Sequence, residues 1–326
     1  MIVLGIESSC DETSVAIIKD GQILSNVIAS SLKMHSKHGG VIPEIASRMQ
    51  LESIAVVFSQ AIKIAKIKLK QVDLVCVTSG PGLPGSLLVG ISFAKGLALS
   101  LDKPLLGVNH IYSHVYANLL CHKNIKLPAV ALVVSGGHTS LFYIKDFSSF
   151  KVLGQTRDDA CGESFDKVAR IMGLGYPGGP LIEKLAKSGN KHKIKFACSG
   201  TNNEMDFSFS GIKTAVSYYL KDKKIVSGLK KDLAASFQES VVNTLIRKSL
   251  IACKRKKALS LLVGGGVVAN NYLRQKIVCA AKEAGIKCYF PDMNLCMDNA
   301  AMVGALGGYL YKKGRRSNLY LNMEFS

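Results

Sequence analysis

Apolar residues in this chain come in short blocks separated by polar turns, and the blocks recur in the same order. Residues 2–6 (Ile-Val-Leu-Gly-Ile) read as a strand, Glu7 to Glu12 as a polar turn, and Thr13 to Lys19 as a second strand. An Asp20-Gly21 turn then leads into a third strand, Gln22 to Ala29. Residues 129–135 repeat the opening, Gly136-Gly137 makes the turn, and Thr139 to Ile144 and Lys151 to Gln155 supply the next two strands. The later parts match as well. Asp73 to Thr78 is a strand ending in Ser79-Gly80-Pro81-Gly82, followed by a helix (Gly85 to Ser100) and a short strand (Pro104 to Val108). Ser260 to Val263 is a strand ending in Gly264-Gly265-Gly266, followed by a helix (Ala269 to Ala284) and a strand (Lys287 to Phe290).

Each half therefore predicts three antiparallel strands, then helix, parallel strand, helix and strand, which is an α/β mixed sheet flanked by helices. The expected lobes are 1–128 and 129–295, the second carrying a helical insertion at about 158–256. The remaining 296–326 holds a helix, Asp298 to Tyr311, expected to pack back on the first lobe. Two such lobes predict a cleft faced by glycine-rich strand ends.

Composition narrows the class. Apolar residues at 48% and charged residues at 20% describe a globular chain. The longest apolar candidate, Ser86 to Leu101, is broken by Lys95 and falls short of the roughly 18 uninterrupted residues of a membrane span. Glu7, Asp11 and Glu12 arrive too early for a signal peptide, so a cytoplasmic protein with no membrane partner is expected. Nine scattered cysteines without Cys-x-x-Cys predict no disulfide frame, and Cys10, Cys76, Cys279 and Cys288 read as small buried hydrophobes. Lys and Arg outnumber Asp and Glu by 42 to 23, a net charge of +19. Clusters at Lys63 to Lys70, Lys221 to Lys231, Lys254 to Lys257 and Lys312 to Arg316 suit an RNA partner, or are simply solvated helix faces.

The sharpest chemical signal is His110 and His114. Four-residue spacing on a helix opened by Asn109 puts both imidazoles on one face, where they can share a transition metal. A metalloprotease would need Glu at 111, and that residue is Ile. Two helix histidines with unrelated partners remain the alternative. Four glycine turns, at Gly80-Pro81-Gly82, Ser135 to His138, Gly178-Gly179 and Gly264 to Gly266, are candidates for cradling a phosphate on backbone amides. P-loop and Rossmann spacings are absent from the sequence. Asp158, Asp159, Glu163 and Asp166 crowd one helix start, where Glu163 and Asp166 either reach a ligand hydroxyl together or complement the helix dipole. Asp298 before Asn299 reads as an ordinary N-cap unless folding brings it to the histidines. His35, His38 and His138 are further candidates, and Cys161 reads as a packing residue.

Together these segments resemble one family, the tRNA N6-adenosine threonylcarbamoyltransferases (TsaD). The carriers of the resemblance, in order, are Gly5 to Thr13, His35 to Glu44, Gly80 to Leu83, the His110/His114 pair, Val134 to Thr139 and Asp158 to Glu163. Tyr176 to Pro180, Asp206 to Gly211, Gly264 to Gly266 and Asp298-Asn299 complete the set, which covers nearly the whole chain. Val268-Ala269-Asn270 departs from the family's usual Ser-Ala-Asn but keeps Asn270.

The resemblance implies a two-lobed actin/Hsp70-like (ASKHA) fold, each lobe a mixed five-stranded RNase H-like sheet. It implies one divalent metal, Fe(2+) ahead of Zn(2+), on His110, His114 and Asp298. It implies a threonylcarbamoyl-AMP site at Val133, Val134, Ser135, Gly136, Gly137, Asp166, Gly179, Glu183 and Asn270, with Glu12, His138 and Gly265 as accessory candidates. The implied reaction moves threonylcarbamoyl to N6 of the adenosine beside the anticodon of tRNA, and Tyr-Pro-Gly-Gly-Pro favours the bacterial branch, whose partners are TsaB and TsaE. No catalytic base can be named. A small-molecule kinase of the same fold would not need His110 and His114 on one helix, and a non-catalytic tRNA-binding scaffold would leave the metal set unexplained.

Overall fold

Two sheets of the same pattern organise the chain in the computed structural model, which describes residues 1–221 and 227–324. The first unit is Met1–Lys123 together with the chain from Pro291 onward, and the second is Asn124–Phe290. The breaks fall at 123 and 290 instead of 128 and 295 because the joining segments are tied in on opposite sides. Leu259 N donates to Pro128 O and Ser260 Oγ to Lys126 O, fastening 126–128 to the second sheet. Asp292 N contacts Cys121 Sγ, and Leu295 is buried in the first core.

In the first unit, β1 (Ile2–Glu7), β2 (Glu12–Lys19), β3 (Gln22–Ser30), β4 (Leu74–Gly80) and β5 (Leu105–Asn109) lie in the order β3-β2-β1-β4-β5. β1 and β2 are antiparallel, with Ile2 opposite Lys19, and the turn between β2 and β3 puts Asp20 and Gly21 at positive φ, as a two-residue hairpin requires. β4 and β5 add in parallel, across α3 (Pro84–Leu101). Alternation along β1 sends Leu4 and Ile6 towards α2 (Pro43–Ala65) and α3, and Val3 towards α4 (His110–Cys121) and α10 (Ala300–Lys312). The short α1 (Leu32–His38) ends at Gly39 in the left-handed region.

α3 is the one helix among the described residues long and apolar enough to cross a membrane, with mean hydropathy 1.4. Its Leu87, Ile91, Ala94 and Ala98 are buried in the core shared with α2 and β4. It is the core helix of this unit.

α10 lies unusually close to β1. A Cβ on Gly5 would collide with the Ala300 carbonyl oxygen and sit 2.8 Å from Gly304 N, and one on Gly307 would collide with Cys76 Sγ. Glycine at these positions lets helix and strand backbones approach, which fixes where the residues just before α10 fall.

The second unit repeats the plan in the order β10-β9-β6-β7-β8, from β6 (Ala129–Val134), β7 (Thr139–Asp146), β8 (Ser149–Gln155), β9 (Ser260–Gly264) and β10 (Lys287–Tyr289). β6 pairs antiparallel with β7 and parallel with β9. Four helices fill the insertion: α5 (Cys161–Ile171), α6 (Gly178–Ala186), α7 (Ser210–Leu220) and the long α8 (Ser227–Lys256). α8 packs on β6, β7 and β9, while α6 lies between α5 and α8. α9 (Asn271–Glu283) follows a 3-10 turn, Gly266–Ala269. Of the basic positions singled out in the sequence, Lys223 and Lys224 lie outside the described residues. All nine cysteines are free, but Cys279 is exposed, since it falls on the outer face of α9 instead of the Leu273–Ile277–Ala281 stripe that faces the core.

Candidate metal centre and phosphate-binding turns

The candidate metal centre in the first unit grows from two helix starts. Asn109 ends β5 and caps α4, accepting from Tyr112 N at 3.1 Å, so His110 and His114 occupy the first turns of a well-capped helix. Their rings sit edge to face with centroids 4.7 Å apart, and both are buried. The residue that caps α10 is Asn299, which accepts from Met302 N, not Asp298. Asp298 is thereby released from capping and reaches the histidines, with Oδ1 3.0 Å from His114 Nε2 and 3.6 Å from His110 Nε2. One ligand atom from each of the three residues lies within 4.8 Å of the others.

The donor set fits a divalent transition metal. Both His114 nitrogens are buried without a hydrogen bond, because the 3.0 Å approach to Asp298 lacks hydrogen-bond geometry. A buried imidazole left so is costly unless a cation takes its lone pair. His110 is oriented from behind: its Nδ1 lies 3.1 Å from Glu7 Oε2 and 3.1 Å from Ser9 Oγ. Glu7 is itself held by Ser9 N and by Thr78 Oγ1, each at 2.6 Å. A carboxylate behind a histidine fixes the tautomer and aims the other nitrogen forward.

Charge tells the same story. Burial alone would lower the His110 pKa, but Glu7 and Asp298 outweigh it and push His110 up to about 9. Burial would raise Glu7, and the His110 charge and hydrogen bond overcome that and hold it below the usual range. Glu12, through burial first and then Asp11 and Asp298, is pushed up to about 10. The pocket is rich in carboxylate and draws positive charge. Sequence reasoning misses Glu7 as a ligand-positioning group; the signal that could have found it is an acid closing an otherwise apolar strand. Glu7→Gln is expected to weaken metal affinity by about 10- to 100-fold while the fold persists. Competition against a chelator measures it, and unchanged affinity would reduce Glu7 to a core group.

In the second unit the glycine turns separate into open and packed ones. Ser135 N donates to His138 O at 2.8 Å and His138 N to Ser135 Oγ at 3.1 Å, closing a tight turn after β6. Cβ atoms on Gly136 or Gly137 would meet nothing within 4 Å, and the same holds at Gly179. Gly265, by contrast, has φ +95° and would collide with Val134 O. A Cβ on Gly178 would sit 2.5 Å from Phe165 O and 2.7 Å from Asp166 Cα. In the first unit, a Cβ on Gly82 would lie 2.6 Å from Ser9 O, and one on Gly80 would collide with Glu324 O. Of the four expected phosphate cradles, a side chain would meet neighbouring backbone at Gly80, Gly82, Gly178 and Gly265, while Gly136, Gly137 and Gly179 face open space.

The remaining expected site residues of this unit link these turns. Gly162 N donates to Ser135 O at 3.1 Å, docking the start of α5 on the Gly136 turn. Asp166 Oδ1 accepts from Gly178 N at 2.7 Å and sets the start of α6. Glu183 Oε1 accepts from Asn271 N at 3.0 Å, tying α6 to the start of α9, where Asn270 caps the helix and donates to Gln238. Three helix N-termini are thus chained around the strand ends of β6 and β9, an arrangement suited to an anion. Val133 and Val134 have fully buried side chains, so only their backbones can reach a ligand.

The acids crowding α5 do other work. Glu163 pairs with Lys167, Asp159 pairs with Lys167 and Lys213, and Asp158 accepts from Ser208 Oγ, Phe209 N and Ser210 N at the start of α7. Glu163 and Asp166 therefore have separate partners. His35 is buried and accepts from Ile42 N, and His38 is exposed. Cys161 is fully buried, and burial pushes its thiol up, as it does for Cys10.

The fold is that of the actin/Hsp70-like (ASKHA) class, and it carries a candidate His-His-Asp metal site. Full-length HypF, solved in a phosphate- and nucleotide-bound form, shares the fold with TM-score 0.64 at 14% identity, over 97% of this chain and 47% of that one. Component A of (R)-2-hydroxyglutaryl-CoA dehydratase from Acidaminococcus fermentans does so with TM-score 0.58 at 14% identity, over 96% and 98%. The sequence profile of TsaD, tRNA N6-adenosine threonylcarbamoyltransferase, matches residues 22–305, and the chain belongs to that family. Relatives bearing that name include those of Thermosipho africanus, 52% identical over 98% of this chain and 97% of that protein, and Clostridium botulinum, 51% identical over 98% and 95%. The relative from Clostridium perfringens is 48% identical over 99% and 96%.

Proposed function

We propose that this chain transfers the threonylcarbamoyl group of threonylcarbamoyl-AMP to N6 of the adenosine at position 37 of tRNAs reading codons that begin with A. The observation that carries the reading is the His110–His114–Asp298 set with Glu7 behind it, in a chain about half identical to transferases of that name. A small-molecule kinase or a passive scaffold gives no use for that buried donor set.

The carbonyl of a carbamic–phosphoric anhydride is already activated, so the protein need not provide a nucleophile. That suits a chain whose Cys10 and Cys161 thiols are held protonated by burial. The new bond joins N6 to the carbamoyl carbon, the carbon–oxygen bond to phosphate breaks, AMP leaves with that bond's electron pair, and N6 releases one proton to solvent. With Ser135 closing the turn after β6, the amides of Gly136, Gly137 and Gly179 would hold the phosphate, and the backbone of Val133-Val134 together with Asp166, Glu183 and Asn270 would orient the adenylate. His110, His114 and Asp298 would hold the metal, Fe(2+) ahead of Zn(2+). When bound, such a metal supplies Lewis acidity towards a developing oxyanion. Glu12 and His138 are accessory groups in this reading, with TsaB and TsaE as partner proteins and the cytoplasm as the setting.

Incubation with threonylcarbamoyl-AMP, unmodified tRNA and the two partners, followed by nucleoside mass analysis, tests the reading; unmodified adenosine would sink it. Gly137→Val separates binding from folding. The added side chain has open space around it, so the melting temperature should hold while adenylate affinity falls about tenfold or more. Equal losses in both would make Gly137 a turn residue only.

A further inference from the structure

The second unit gathers cations that the transfer chemistry leaves unused. Residues 187–196 lie along the first turns of α8 through a seam of specific contacts. Asn190 N donates to Asp232 Oδ1 at 2.8 Å, Ile194 N to Ser236 Oγ at 3.2 Å, and Ser240 Oγ to Phe196 O at 2.8 Å. At Gly189 the backbones meet so closely that a Cβ would collide with Lys231 O. The seam therefore lays the segment carrying Lys187, Lys193 and Lys195 along α8, with Gly189 against Lys231 and the stretch from Ile194 to Phe196 against Ser236 to Ser240 further along the helix that Lys230 and Lys231 open. The first three lysines are exposed and the other two half-buried. Among the described residues none of these five lysines is in an ion pair, and Asp232, the acid in the seam, gives its Oδ1 to the Asn190 amide.

The ridge also has a defined place. Lys187 follows α6 one turn after Glu183, about 6 Å of helix rise. Lys191, in the middle of the segment, reaches α9 through Tyr272 Oη at 3.2 Å, one residue from Asn271, whose amide Glu183 holds. Positive charge thus begins at the residues that orient the adenylate in the reading above. A second cationic surface offers a contrast. Tyr143, Lys145, Lys151, Arg255, Lys256 and Lys257 line a groove of about 540 Å³. It lies at the far end of β7, roughly 20 Å along the strand from the Ser135–His138 turn at about 3.4 Å per residue.

We propose that the lysine ridge formed by residues 187–195 and the start of α8 docks the phosphate backbone of tRNA beside the reacting adenosine. The proposal rests on tRNA being the acceptor. A ridge of unpaired lysines without a shaped pocket suits the regular charge of an RNA backbone, which releases counterions when bound.

The test compares the full chain with Lys187→Glu/Lys193→Glu/Lys195→Glu/Lys231→Glu, and with the same four positions changed to Gln in case the reversals impair folding. The groove variant Lys145→Glu/Lys151→Glu/Lys256→Glu/Lys257→Glu serves as the control. Binding of an unmodified tRNA transcript is measured between about 50 and 200 mM salt. The ridge variants should lose about tenfold or more in affinity at low salt. Their log–log salt slope should become shallower by roughly 0.7 to 0.9 for each phosphate that a lysine no longer neutralises. The groove variant should stay within about twofold, and adenylate binding should hold in all. Wild-type affinity and slope in the ridge variants would overturn the proposal, and so would loss confined to the groove variant. So would loss of an acidic protein partner with tRNA binding intact. If the wild type itself neither binds nor modifies tRNA, the acceptor assignment falls along with the ridge; a modifying wild type with unaffected ridge variants removes the ridge alone.

Discussion

His114→Ala should strip the metal from the protein and abolish transfer, while the chain stays folded. His114 is fully buried, and both its nitrogens lack a hydrogen bond, so the imidazole has no role in holding α4 in place that alanine would interrupt. Losing one of three protein ligands should lower metal affinity by more than about 100-fold, beyond what a positioning residue such as Glu7 costs. Removing the ring from a packed interior costs some stability, about 2 kcal/mol or more. Metal content per chain is the deciding measurement. If the alanine variant is purified with as much metal as the wild type, the centre is elsewhere.

Gly5→Ala should be at least as damaging, through geometry alone. One methyl group would run into the Ala300 carbonyl oxygen and the Gly304 backbone, neither of which can rotate away. Overpacking of this kind costs about 1–3 kcal/mol, and backbone neighbours put the change at the upper end. The collision falls on the first turn of α10, two residues after Asp298, so the metal should weaken in step. Denaturant unfolding and metal titration of the same variant separate the two effects. A stability loss with metal affinity intact would show that Asp298 is not placed by the β1–α10 approach.

Much of this is legible in the residues. Asp20-Gly21 announces a hairpin, Asn109 a helix start, and the recurrence of strand blocks the two like-ordered sheets. The His110/His114 spacing yields two ligands because one helix sets their separation. Asp298 is different: whether it caps its own helix or reaches the histidines depends on Asn299 taking the cap, a local competition that residue type does not decide. The glycines are the least legible. Gly136 and Gly80 look alike in sequence, yet one faces open space and the other faces the Glu324 backbone, a neighbour from the far end of the chain. Glu7 reads as a turn residue because alternation says nothing about a buried acid until its partners Ser9, Thr78 and His110 are in place.

The first unit is discontinuous, completed only by the chain from Pro291 onward. During synthesis the second unit, ending at Phe290, emerges while one face of the first sheet is covered by α4 alone. Val3, Ala16, Ile18, Leu74 and Cys76 on that face wait for Met302, Val303 and Leu306 of α10. The same late helix brings Asp298 to histidines made long before. The three candidate metal ligands therefore come together only once α10 has been delivered and has docked.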